Sequence, residues 1–216
     1  VIKNANESGI NSIDNYFINR NIDLKEIKLK LDYENSRKVS YIHRIFNQLF
    51  YGPILYQEIF NEKSQFTEEP LIDLDNIVLD DNLMSKLKTR FGNKISTVTG
   101  RGNFAFSYSM KNFLNNFDMK NSVFLEDRPL NLAKPNPKSL IESISGINSK
   151  CSLYIGDSME DLMMVEKCKE HGYDVSFCGI YGSSDEPELK YELFQKNKAS
   201  FILESIQELP KALNLV

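Results

Sequence analysis

A chain of 216 residues with 41% hydrophobic content can bury the core of one large domain, or of a core and a smaller insert. Its 26 basic and 30 acidic side chains leave a formal charge of −4, which gives no footprint for nucleic acid or for an anionic membrane, so a small soluble partner is expected. No apolar run approaches the roughly 18 residues of a membrane span, nothing resembles a signal peptide, and Cys151, Cys168 and Cys178 lack paired metal spacing; the expected location is the cytoplasm, with the thiols reduced.

Weak helical patterning around Ile13, Tyr16, Phe17 and Ile22 predicts helix within 10–32. In 36–50, Val39, Ile42, Phe46 and Leu49 recur at three- and four-residue spacing, which makes one face of a helix. Gly52 and Pro53 stop it, and 54–60 offers another short helix. The first seventy residues therefore read as all-helical.

The texture changes near residue 80. A helix at 81–91 ends at Gly92, and 94–99 has the β-branched content of a strand. Phe106, Met110, Phe113 and Phe117 form one stripe of a predicted helix at 103–117, followed by a strand at 122–125 and a helix at 137–145. Strands at 152–155, 174–179 and 201–203 then alternate with helices at 159–170 and 205–213, while 183–188 reads as a polar loop. Such alternation implies right-handed crossovers and an α/β fold, a parallel sheet covered by helices on both faces.

In an open parallel sheet, ligands bind beyond the carboxyl ends of the strands, so the polar residues there carry the functional interest. Three strand ends stand out. The first is Gly156-Asp157-Ser158-Met159-Glu160-Asp161, where two carboxylates follow an apolar strand. A magnesium ion takes one or two carboxylates plus waters and a substrate phosphate, which would make Asp157 a direct ligand with Asp161 beside it. The structural alternative is a helix start in which Ser158 is the N-cap and Asp161 closes a capping box. The second is Ala133-Lys134-Pro135-Asn136-Pro137, in which Asn136 can cap a helix and Lys134 is a point charge suited to a phosphate; a solvated loop lysine is the plainer reading. The third is Thr99-Gly100-Arg101-Gly102, a hydroxyl and flexible backbone able to approach an anion, though Thr-Gly turns are also ordinary structure.

Taken together and in order, these three motifs resemble the later motifs of the haloacid-dehalogenase-like hydrolase superfamily, over residues 81–216. The resemblance implies a Rossmann-like core, with 1–70 a small helical cap inserted early and 71–80 the linker back to the core. It implies Mg2+ held by Asp157 and Asp161, and a small phosphorylated metabolite bound at its phosphate by Thr99, Gly100, Arg101 and Lys134. Lys134 and Thr99 would take part in phosphomonoester hydrolysis through an aspartyl-phosphate. In that family the nucleophile and the general acid are an Asp-x-Asp on the first strand. Asp73 and Asp75 have the spacing, but 26 residues from Asp73 to Thr99 leave little room for a flap, a helix and a strand, and Glu68-Glu69-Pro70 gives no buried strand before them. The chain begins with Val1, and the expectation is that the nucleophile strand lies upstream of it. A phosphomutase shares these motifs, and a non-catalytic binding module that kept the fold is the rival from another class.

Overall fold

The computed structural model describes residues 17, 18, 20 and 40–215. Most of the helix predicted at 10–32, and residues 36–39 of the next, lie outside the described residues. The chain divides into two compact units, Val1–Asn76 and Ile77–Val216. Among the described residues no helix is long and apolar enough to cross a membrane.

The first unit is built on helix α1 (Tyr41–Phe60), whose first turn is capped by Ser40, its Oγ accepting the His43 N–H at 3.4 Å. Gly52, at φ +65° and ψ 175°, breaks the helical path, and a new helical stretch begins at once with Pro53. The predicted stop is thus a kink between two consecutive helical stretches. A side chain at Gly52 would be strained and would bring a Cβ within 2.9 Å of the Pro70 Cβ, so close packing of the returning chain demands glycine there. Tyr51 and Tyr56 are buried, and Leu71–Leu74 forms a 3-10 turn that packs on α1 through Ile72.

The second unit is α/β. In chain order it runs α2 (Asp81–Phe91), β1 (Val98–Thr99), α3 (Asn103–Ser109), β2 (Val123–Phe124), α4 (Lys138–Gly146), β3 (Ser152–Gly156) and α5 (Met159–Glu170). It ends with β4 (Val175–Ile180), α6 (Pro187–Lys196), β5 (Phe201–Leu203) and α7 (Leu209–Ala212). β1 pairs with β2, and β3 with β4 and β4 with β5, all in parallel. One face is covered by α4, α5 and α6 through Leu140, Ile144, Leu162, Val165 and Phe194, packed with Phe177. The other is covered by α2 and α7 through Leu83, Met84, Leu87 and Leu209, packed with Cys178. Phe177 and Cys178 are neighbours in β4 and point to opposite faces, as strand geometry requires, so the core is Rossmann-like with helices on both sides.

Several predicted elements are shorter than their patterns suggest. Only Val98 and Thr99 of 94–99 enter the ladder: the Thr97 carbonyl still accepts the Val123 N–H at 2.7 Å, but the Thr97 N–H goes to Ser122 Oγ at 3.1 Å and the Ile95 carbonyl to the Asp118 N–H at 2.6 Å. The predicted helix 103–117 stops at Ser109, and Leu114–Asn116 continues as a 3-10 turn. The helix predicted at 205–213 opens as a 3-10 turn, Ile206–Glu208, before α7. Part of the stretch read as a polar loop, from Pro187, begins α6.

The parallel strands form two separate ladders that share one core, since Val98 of β1 lies in the same apolar cluster as Phe177 of β4. Between them the Val98 carbonyl accepts a hydrogen bond from the Tyr154 hydroxyl of β3, at 2.9 Å, where a strand would have offered a backbone N–H.

Candidate functional site

The site is assembled where β1 and β3 end. After β3 the chain turns at Gly156, where a Cβ would come within 2.6 Å of the Asp161 Cγ; glycine lets this carboxylate fold back over the strand end. Ser158 caps α5. Its Oγ accepts the Asp161 N–H at 3.1 Å, while Asp161 Oδ2 accepts the Ser158 N–H at 3.2 Å and its hydroxyl at 2.7 Å. The capping box weighed against a metal role in the sequence is therefore formed.

Asp161 does more than cap. Its side chain is 4% exposed, and its second oxygen, Oδ1, lies 2.6 Å from Lys134 Nζ, itself 17% exposed. A buried carboxylate needs such a partner, since an unpaired one would carry a large desolvation cost. The Tyr154 hydroxyl reaches the same Oδ1 at 3.0 Å, and Lys134 Nζ sits 5.7 Å from the centre of the Tyr154 ring. Burial first, and then the Asp161 charge, push the Tyr154 hydroxyl well above its usual range, so it stays an O–H donor. Glu160 is also raised, by burial and then by Asp161, with Lys134 pulling the other way.

Lys134 comes from the turn before α4. Asn136 Oδ1 accepts the Lys138 N–H at 3.0 Å, and Pro137 already has helical dihedrals, so the capping read from the sequence is present. The Lys134–Pro135 peptide bond is cis.

At the end of β1, Thr99 Oγ1 accepts the Arg101 N–H at 3.3 Å, and an Arg101 guanidinium nitrogen donates to Ser109 Oγ at 3.2 Å. Gly100 is exposed. The N–H groups that follow are already engaged: Gly102 donates to Glu126 at 2.9 Å and Asn103 to Asp127 at 2.8 Å. Sequence reasoning missed these two carboxylates and Tyr154. Glu126 and Asp127 follow β2, so the rule that strand ends carry polar function points to them too, whereas nothing in the spacing marks a tyrosine inside an apolar strand.

The structure thus brings Lys134 and Asp161 together, ties them through Tyr154 to the strand that ends at Thr99, and leaves Asp157 exposed just after β3. Asp73 and Asp75 belong to the first unit, on and just after the 3-10 turn. They do not end a buried strand. Among the described residues no group of three or more His, Cys, Asp or Glu could hold a metal ion.

No model of a known protein family matches the sequence, and no curated protein matches it. Among solved structures the chain is similar in fold to phosphatase Tt82 from Thermococcus thioreducens, with a TM-score of 0.52 and 20% sequence identity over 77% of this chain. It spans 62% of the length of that protein.

Proposed function

We propose that this chain is part of a magnesium-dependent phosphomonoesterase of the haloacid-dehalogenase-like kind. It acts on a small phosphorylated metabolite through an aspartyl-phosphate whose nucleophile comes from polypeptide preceding Val1, and the first unit serves as its cap. The observation that carries this reading is the Lys134–Asp161 pair at 2.6 Å, a half-buried ammonium fixed on a buried carboxylate where strands of the two parallel ladders end. The likeness in fold to a phosphatase supports it. So does the interruption between β1 and β3, two strands that share a core and lack a ladder between them. A nucleophile strand inserted there would join the two ladders. Three free cysteines without a disulfide suit the cytoplasm.

The residues present fit magnesium, because this ion needs few protein oxygens and Asp157 is an exposed carboxylate at the end of β3 whose charge is felt at Tyr154. Both Asp161 oxygens already accept hydrogen bonds, so Asp157 is the direct ligand and Asp161 acts chiefly through Lys134. Bound there, magnesium would offset negative charge on the phosphoryl group. Lys134 neutralises the same group from its fixed position. Thr99 Oγ1, which accepts the Arg101 N–H, keeps its own hydroxyl hydrogen for a phosphate oxygen.

The complete gene product is expected to release inorganic phosphate from p-nitrophenyl phosphate with magnesium and to stop with a chelator. Asp157→Asn and Lys134→Met should each lower kcat by about 100-fold or more. Absence of turnover, with preceding sequence lacking Asp-x-Asp, would exclude the enzyme and leave a binding module. Transfer of the phosphate to a second hydroxyl instead of water would identify a mutase.

A further inference from the structure

We infer that Tyr154 is a positioning residue for the phosphate-handling groups, a side chain that meets both Asp161 and Lys134 and reaches the residue before Thr99. Its hydroxyl carries a single proton, shared between the Val98 carbonyl at 2.9 Å and Asp161 Oδ1 at 3.0 Å. The first contact holds β3 to the residue before Thr99 in this chain, and the inference for the complete protein rests on the second. The second orients the carboxylate that holds Lys134, and the ring lies under the Lys134 ammonium, 5.7 Å from its centre. Asp161 Oδ1 would otherwise have Lys134 alone, and a flexible ammonium with three donors does not define one carboxylate orientation. Adding a rigid phenol donor to that oxygen, with the Ser158 contacts on the other, leaves Asp161 one orientation and so gives Lys134 one position.

The inference rests on the phosphatase reading, and its test keeps the two apart. Tyr154→Phe in the complete gene product retains the ring, and with it the packing, while deleting the hydroxyl. The expected result is a fall in kcat of about 10- to 100-fold, as for groups that orient a ligand from behind, with KM little changed. In 15N-lysine spectra the Lys134 ammonium, assigned by its loss in Lys134→Met, should exchange with water slowly in the native protein and at least several-fold faster in Tyr154→Phe. Unchanged kcat together with unchanged ammonium exchange would overturn the inference, as would a lower melting temperature with both readouts unaltered. Should the native protein fail to hydrolyse any phosphate ester, the phosphatase reading falls, and ammonium exchange alone still decides whether Tyr154 positions Lys134.

Discussion

An ammonium 2.6 Å from a carboxylate that is 4% exposed makes each partner necessary to the other. Coulomb attraction in such a place mainly repays the cost of taking both charges out of water, so the pair contributes little net stability while the loss of one partner is severe. Lys134→Met is therefore expected to destabilise the second unit by about 3–5 kcal/mol, read from urea unfolding. The double change Lys134→Met with Asp161→Leu should cost clearly less than the sum of the single changes. Equal, additive losses would mean that the two side chains act independently. Arg128 and Glu142, paired at 2.8 Å but 41% and 54% exposed, form a surface pair for which no comparable penalty is expected.

Among the elements, α6 shows both how a helix is held and why it escaped the sequence. Leu189, Tyr191 and Leu193 are exposed, and the helix anchors itself through Phe194, which is fully buried and meets Phe177 edge-on at 5.5 Å between ring centres. Periodicity finds helices that bury a stripe, and a helix that buries one ring has none to find. Phe194→Ala should cost about 3–5 kcal/mol, whereas Leu189→Ala, at 57% exposure, should fall within about 0.5 kcal/mol of the native protein. By contrast α5 was legible to the residue, because Ser158 and Asp161 close a capping box on short-range spacing alone. The same spacing could not reveal that Asp161 meets Lys134, since that contact depends on how α4 and α5 are brought together. Strand 94–99 was overextended for a related reason: β-branched content reports suitability for a ladder, and the Ser122 hydroxyl took the Thr97 N–H first.

For the molecule as a whole, the two faces of the sheet can be followed by their thiols, Cys168 on one and Cys178 on the other. Burial pushes the Cys168 thiol up to about 11 and the Cys178 thiol up to about 12. In the unfolded chain both would ionise near the ordinary value of about 8.5. Folded values above unfolded ones mean that the folded state holds its protons longer. This contribution to stability is complete below about pH 8.5 and is lost as pH rises toward 11 and 12. Urea midpoints should therefore be flat from neutrality to about pH 8.5 and fall above it. At pH 8 a disulfide reagent should titrate one thiol, exposed Cys151, in the folded protein and all three after denaturation; rapid reaction of a second thiol in the folded protein would contradict the packing. At the same scale, the Tyr154 hydroxyl on the Val98 carbonyl sets the terms on which a further strand could join the two ladders, as the proposed function requires. A strand entering between β1 and β3 would exchange that hydrogen bond for its own backbone N–H, freeing the tyrosine proton for Asp161, so no buried polar group is orphaned in either arrangement. Polar contacts nearly cancel in such an exchange, and apolar side chains on both faces of the incoming strand become what drives closure of the sheet.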